Sequence, residues 1–563
     1  MMVAEVAHLL ARDAAPERIR ALIRTTISEI ETAFASIDRL QARTRLALTL
    51  SLLEGSAQQA SIRYGRATTV LRDELSKLDV DDRHYWISTF YTLLMSTSAR
   101  REKATYFTPP AIVRHLIRQA ETAGLDLTTA RIIDPAAGGA AFVSSLAGRM
   151  TELGCGAGDI KSRITGIEID PHLALLGEAL VKDRLGSQCG KSRLIRTGDS
   201  LIVGEIARYD GVFVNPPYGR ILGLGNEIPL EWRAFCAPGH VNRYALFTDL
   251  AFRMAKPGGL VATVTPSSFI SGPLFEKLRE NIRTRADVLR IDVLERKDVF
   301  HDVQQDACVS IFRIKEASRS ATKPFAPKVG RLDRDWKFAE DGVVTTSDAG
   351  LAAPWILPGT GTGFDSCLGR LKDYGVTPKA GSFVWNRETE RLQRGKKVGK
   401  AFPLFWGTNI KPGKACLPRS KDDEGTDFVV FEKENSGIIR KPSVLLQRTT
   451  NSRQPRRLVA AAVPRKVLKK HKGFVCENHT IALVPDGRAN LSLLVRLLNT
   501  DAVDKRFRRV GGTSSVSIAA LRNLPLPVPK HLRSAIKKTN DFESAVELAY
   551  SMTEGPSSNR RAA

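Results

Sequence analysis

The sequence predicts an α/β fold: a mainly parallel sheet with helices on both faces, preceded by a helical segment and followed by a basic region of mixed strands and helices. Short β-rich runs (RIIDP, ITGIEID, GVFVNPP, GLVATVTP, CVSIFRI) alternate with helix-length segments from about residue 101 to 320, as strand–helix–strand units require. Before them, ERIRALIRTTISEIETAFASIDRLQARTRLALTLSLLEG carries apolar residues at helical spacing and no proline. After about residue 330 the chain turns rich in Gly, Pro, Lys and Arg.

A chain of 563 residues, 42% apolar and 26% charged, is too long for one core, and the organisation expected is four-part. Residues 1–100 are expected to form a helical domain, 101–330 the α/β domain and 331–550 a mixed α+β domain, with 551–563 (TEGPSSNRRAA from 553) a disordered tail. No run approaches the roughly 18 uncharged apolar residues of a membrane span, and the N-terminal stretch lacks a signal-peptide pattern, so a cytoplasmic location is expected. Seven scattered cysteines without a CxxC pair suit a reducing compartment. His471, Cys476 and His479 form the one metal-like grouping, better read as residues of a buried strand, and no metal is expected.

The net charge of +25 is segregated: residues 391–530 hold 29 Lys/Arg against 10 Asp/Glu, whereas residues 1–100 hold 13 against 12. Such segregation points to a polyanion as partner of the C-terminal region. GTGTGF at 359–364 lacks a following GK[ST] and reads as linker, not as a phosphate loop.

Along the α/β region, YFTPP leads into a helix that Thr108 is placed to cap, with Pro109 and Pro110 in its first turn and Gly124 where it could end. RIIDPAAGGAAF then runs a strand into Asp134 and a small-residue turn, Ala136 to Ala140, that lets a ligand approach the backbone. ITGIEIDP ends in Glu168, an acidic strand end suited to two ribose hydroxyls, and RTGDSL offers Asp199 as acceptor for an adenine amino group. Neither GxGxxG nor GxxxxGK[ST] is present, so a nucleoside without phosphates fits better than a dinucleotide.

The most specific segment is YDGVFVNPPYGR, in which a strand enters Asn215, Pro216, Pro217 and Tyr218. An adenine amino nitrogen is a poor nucleophile because its lone pair is delocalised into the ring. The Asn215 side-chain oxygen and the Pro216 carbonyl can accept both amino hydrogens and draw that lone pair toward an incoming methyl. A base in a duplex must be rotated out to reach such a loop, with Tyr218 and Phe300 as stacking faces.

These motifs, in this order, resemble the γ-class, TaqI-like N-6 DNA methylase family, which includes type I and type II modification enzymes. The resemblance covers about residues 100–320 and, more weakly, the C-terminal region. It implies a Rossmann-like class I S-adenosylmethionine-dependent methyltransferase core and a C-terminal target-recognition domain. It implies cofactor contacts at Tyr106, Phe107, Thr108, Pro109, Asp134, Pro135, Ala136, Gly138, Glu168, Ile169, Asp199 and Ser200, and catalytic contacts at Asn215, Pro216, Pro217, Tyr218 and Phe300. Phosphate contacts are expected from Arg448, Arg453, Arg456, Arg457, Lys505, Arg506, Arg508 and Arg509. The expected activity is N6-adenine methylation of double-stranded DNA within a restriction-modification or defence system.

One departure from the family pattern is Ala140, which stands where the family has its second glycine. NPPY also occurs in enzymes that methylate protein glutamine or RNA guanine, and a non-catalytic DNA-binding component is a further alternative. The early YFTPP and the basic C-terminal region favour DNA. The first 100 residues carry no PD…(D/E)xK pattern, so a cognate endonuclease or specificity subunit would be a separate partner.

Overall fold

The computed structural model describes residues 17–34, 40–53, 61–96, 107–186, 193–202, 206–221, 230–237, 240–294, 307–316, 325–332, 338–346, 350–358, 368–395, 399–412, 414–419, 425–431, 435–449, 455–510 and 516–554. Two compact units emerge: residues 1–267 with 274–340, and residues 268–273 with 341–563. Among the described residues no helix is long and apolar enough to cross a membrane.

Helices α1 (Glu17–Phe34), α2 (Ala42–Leu50), α3 (Ser61–Leu75) and α4 (Val80–Leu93) open the first unit. Ile19, Ile23, Ile27 and Ile30 make one stripe along α1, each at most 3% exposed. Burying such a side chain stabilises by about 1.5–3 kcal/mol as an upper estimate. Asp79 caps α4 by accepting the Asp82 amide at 3.1 Å, and α4 then runs with Trp86 to Leu93 buried all round. A helix buried on every side has to be covered on every side. Its core is completed by Leu173, Leu176 and Leu180, so the N-terminal helices and the sheet-covering helices share one hydrophobic cluster.

The sheet that follows has nine strands: β1 (Ile132–Asp134), β2 (Ile164–Glu168), β3 (Ile195–Thr197), β4 (Tyr209–Val214), β5 (Ala255–Pro266), β6 (Ala286–Leu294), β7 (Ala307–Ile314), β8 (Lys328–Leu332) and β9 (Phe338–Val343). Their order is β3-β2-β1-β4-β5-β7-β6-β8-β9. The first five are parallel, and β7 enters antiparallel between β5 and β6. Its parallel part is the helix-covered sheet that the alternating runs predict. Helices α5 (Pro110–Thr122), α6 (Ala141–Glu152), α7 (Ala157–Arg163), α8 (Pro171–Leu185), α9 (Arg243–Met254) and α10 (Glu276–Arg285) complete the unit.

A buried polar cluster joins α4 to α6 and α8. His84 bonds Ser144 Oγ through Nδ1 at 3.0 Å and Asp183 through Nε2 at 2.9 Å, and Arg184 donates to Ser144 and to Asp81. Burial lowers the His84 pKa against the pull of Asp183. The N-terminal helices are thus held to the sheet by polar groups that would be expensive to leave unpaired.

The second unit holds an antiparallel sheet ordered Val376–Ala380, Thr480–Pro485, Val444–Gln447, Ala460–Ala462, and a second four-stranded sheet. Helices Leu491–Leu498, Asp501–Val510, Ile518–Arg522, Pro529–Ile536 and Phe542–Glu554 pack on it through Leu494, Leu498, Phe507 and Tyr550. GTGTGF lies outside the described residues.

Ala140 sits in the left-handed region, at φ 59°, as the residue before α6. That conformation costs an ordinary residue roughly 1–2 kcal/mol. Its methyl group is accommodated because α8 has Gly177 opposite: a Cβ there would meet Ala140 Cβ at 3.2 Å and the Gly138 carbonyl oxygen at 3.3 Å. Gly→Ala inside a helix ordinarily gains about 0.8–1 kcal/mol. Gly177→Ala is expected to gain nothing or to destabilise in the parent, and to cost less when Ala140→Gly is present, with the Gly138 carbonyl contact remaining. A double-mutant cycle by denaturant unfolding measures this coupling, and simple additivity would contradict it.

Candidate active site

Where the strand order reverses, between β1 and β4, open α/β sheets form a crevice at the carboxyl ends of their strands. A cavity of about 570 Å³ opens there, within the range of small-molecule sites. Phe107 and Thr108, Asp134 to Gly138, Ile167 to Pro171, Gly198 to Leu201, Asn215 and Pro217 all line it. Four separate strand ends thus converge on one space, each with an acid or amide from the motifs above.

Glu168 is the hub of the wall. One carboxylate oxygen accepts the Gly138 amide at 2.9 Å and the other the Asp170 amide at 2.9 Å, so a single side chain ties the turn after β1 to the turn after β2. The Ala137 amide also donates to the Ile167 carbonyl at 2.9 Å. Asp134 accepts the Ala136 amide at 2.9 Å, Asp199 accepts the Leu201 amide at 3.0 Å, and Ser200 Oγ donates to the Pro135 carbonyl at 2.5 Å.

Burial pushes the Asp134 pKa up to about 8 and raises that of Glu168, with the mutual repulsion of Asp134 and Glu168, and of Glu168 and Asp170, adding to the effect. With Asp134 neutral, a cavity walled by Glu168, Asp170 and Asp199 still favours a cationic ligand and repels a phosphate.

At the end of β4, Asn215 donates through Nδ2 to Thr108 Oγ at 3.0 Å, which makes Oδ1 the acceptor end of the amide. Thr108 does not cap the following helix as its position suggests. Pro109 is the residue before α5 and makes no side-chain cap, while Thr108, 3% exposed, turns inward to Asn215. Gly124 does follow the helix, at φ 97°.

Pro216 is buried and Tyr218 half-buried, and neither belongs to the cavity wall that Asn215 and Pro217 join. The Tyr218 hydroxyl donates to the Val264 carbonyl of β5 at 3.3 Å, and burial raises its pKa well above the usual phenol value. Tyr106 and Phe300 lie outside the described residues.

The small-residue turn has a reason the sequence did not suggest. A Cβ at Gly139 would lie 2.5 Å from Ser88 Oγ and 2.8 Å from Phe107, so this glycine makes room for the protein's own α4 and not for a ligand. Gly138, at φ 52°, faces the cavity. The Ala140 methyl points toward α8 and is not part of the wall, which removes the conflict its substitution for glycine suggested.

Sequence reasoning missed Tyr91 of α4 and Met95 just after it, which close the cavity on one side, and Phe142, Arg243 and Phe247 from α6 and α9. Burial raises the Tyr91 pKa, and the Arg45 charge opposes the rise. No local motif marks Tyr91; only the shared core of α4 and α8 brings it there.

In the second unit, several expected phosphate-contacting arginines are engaged with the fold. Arg457 is 4% exposed, too deep for a phosphate, which corrects its assignment to the DNA surface. Arg456 pairs with Asp501 at 2.6 Å, Arg508 with Asp504 at 2.8 Å and Arg506 with Glu547 at 3.3 Å. The Arg506 guanidinium also lies 3.5 Å from the Tyr550 ring centroid, and Arg448 donates to the Asn478 carbonyl. Lys505 is exposed; Arg453 and the Arg509 side chain lie outside the described residues.

Cys476 is buried in a strand with its thiol pKa pushed up to about 12, while His479 is exposed and His471 lies beside Phe428. Among the described residues no three His, Cys, Asp or Glu side chains cluster as metal ligands.

Residues 184–300 match the Eco57I restriction-modification methylase family model. The chain is 22% identical to the Type II methyltransferase M.PstI of Providencia stuartii, over 61% of this chain and 70% of that protein. It is 23% identical to the Type II methyltransferase M.BsuBI of Bacillus subtilis, over 76% and 88%. Among solved structures, the Type IIL restriction-modification enzyme MmeI in complex with DNA aligns over 99% of this chain and 96% of its own, with a TM-score of 0.50 and 11% identity, a likeness of fold. The resemblance read from the motifs agrees with these matches.

Asp134 stays protonated in the folded chain until pH approaches about 8 but ionises near 3.8 once unfolded. Its contribution to stability is therefore complete below about pH 4 and is lost as pH rises through about 8. In the ligand-free protein, melting temperature is expected to fall more steeply between about pH 5 and about pH 8 for the parent than for Asp134→Asn. Parallel curves would remove the basis for a neutral Asp134.

Proposed function

We propose that this chain, whose sequence resembles restriction-modification methylases, transfers a methyl group to the N6 amino group of adenine in duplex DNA as the modification component of a restriction-modification system. The observation that carries the reading is the Asn215 amide, held by Thr108 at the edge of an acid-walled cavity, at the end of the fourth strand.

The cavity suits S-adenosylmethionine, which carries two cationic groups, an amino acid end and a nucleoside without phosphate. When bound, that cofactor supplies a methyl group on a sulfonium, already a good leaving group. Phe107, Thr108 and the Asp134–Gly138 turn would hold its methionine part, Glu168 the ribose hydroxyls and Asp199 the adenine, with Tyr91 and Met95 covering it.

The chain's remaining work is on the nucleophile. Asn215 Oδ1 and the Pro216 carbonyl accept the two hydrogens of the adenine amine and favour a tetrahedral nitrogen. Because Thr108 takes Nδ2, the Asn215 amide is kept from presenting a donor to the amine. The base leaves the duplex to reach this loop, and Tyr218, with its hydroxyl on Val264, offers a stacking face together with Phe300.

Asn215→Ala is expected to abolish transfer of labelled methyl to DNA while binding of S-adenosylhomocysteine and DNA persists. Label on cytosine or protein instead, or unchanged turnover, would reject the reading. Thr108→Val, which keeps the shape and deletes the acceptor, is expected to lower kcat by about 10- to 100-fold with a smaller effect on cofactor affinity. Single-turnover kinetics with calorimetric titration separates the two.

A further inference from the structure

Between Asn435 and Cys476 the chain carries eleven Lys/Arg and no Asp/Glu over 42 consecutive residues. Within this stretch lies the helix Arg465–His471. Val467 is 5% exposed and Leu468 packs beside it on the core of Phe405 and Phe474, which fixes the helix to its sheet. Arg465, Lys466, Lys469 and Lys470 all project into solvent.

The arrangement is unfavourable for an isolated protein on two counts. Arg465 with Lys469, and Lys466 with Lys470, are like charges four residues apart, each pair destabilising by roughly 0.2–0.5 kcal/mol. The helix dipole favours cations in the last turn but opposes them in the first, where Arg465 and Lys466 sit.

The helix ends on Lys472 at φ 61°, a position glycine usually takes, and a lysine there accepts a further cost of roughly 1–2 kcal/mol. Arg440 adds another cation at the same end, donating to the Lys472 carbonyl at 3.0 Å with its guanidinium 5.4 Å from the Phe402 ring centroid. By contrast, Arg456, Arg506 and Arg508 have carboxylate partners within the unit.

We propose that the phosphate-contacting surface of the C-terminal unit is the helix Arg465–His471 with Lys472 and Arg440, and that it docks on the sugar-phosphate backbone of duplex DNA. The proposal rests on the DNA-methylation reading and names the surface that reading leaves open. The like charges of Arg465, Lys466, Lys469 and Lys470, which meet no carboxylate among the described residues, are relieved by a polyanion, whereas the arginines of the Asp501–Val510 helix serve the fold. Contacts of this kind position the protein and carry no sequence preference.

The test compares Lys466→Gln/Lys469→Gln/Lys470→Gln with Arg456→Gln/Arg508→Gln in the full chain. Fluorescence anisotropy follows a labelled duplex across a salt series, and thermal melting is recorded for each variant. The triple variant is expected to melt no earlier than the parent, since both like-charge pairs are relieved, to bind every duplex more weakly, and to lower the magnitude of the log-affinity against log-salt slope by roughly 2–3, at about 0.9 per phosphate contact. The double variant is expected to melt earlier and keep the parent slope.

An unchanged slope in the triple variant, or the loss of slope in the double variant instead, overturns the proposal and leaves the methylation reading standing. Preference for RNA over duplex DNA overturns the choice of partner. A parent protein that does not bind duplex DNA at low salt brings down the methylation reading itself, and this surface with it.

Discussion

The Glu168 carboxylate, 9% exposed, receives a backbone amide on each of its two oxygens, one from the turn after β1 and one from the turn after its own strand. Charge-assisted bonds of this kind are stronger than neutral ones and are worth most where water is excluded. They fix the spacing of two strand ends, and with it the positions of Asp134, Gly138 and Asp170 around one cavity. Burial nevertheless raises the Glu168 pKa, so the two amides do not fully offset the desolvation of its charge. A residue held short of full electrostatic satisfaction is suited to taking further hydrogen bonds from a ligand.

The N-terminal helices are the other half of this construction. Ser88 on α4 and the Phe107 ring occupy the space beside Gly139, and the His84–Ser144–Arg184 cluster holds α4 against α6 and α8. The turn that meets the cavity is therefore shaped from behind by the N-terminal helices as much as by its own glycines. Tyr91 of the same helix and Met95, just past its end, enter the cavity wall.

Much of this was legible in the residues. The alternating runs gave the parallel half of the sheet, and Asp134, Glu168, Asp199 and Asn215 could be placed at strand ends because an apolar run leading into an acid or amide has few other readings. What could not be read needs tertiary packing. Thr108 fits a helix cap by local pattern, but a buried hydroxyl goes where a buried partner is, and that partner is 107 residues away. Gly139 has the composition of a ligand turn and the duty of a packing site. Arginines at 456, 506 and 508 count as positive charge in a sequence, yet in the fold each meets a carboxylate, so charge totals located the basic region but not its free face.

The apolar cluster shared by α4 and α8 bears on how the chain can be divided. A protein trimmed to begin near residue 101, where the strand pattern starts, would uncover Leu173, Leu176 and Leu180, take Arg83 and His84 from Asp183 and Asp81 from Arg184, and open one side of the cavity. The second compact unit takes residues 341–563 but also 268–273, and β9 runs across residue 340, so a single cut there does not part the two units cleanly. Anyone seeking to exchange the basic half for another would keep every helix ahead of the sheet with the half that holds the cavity.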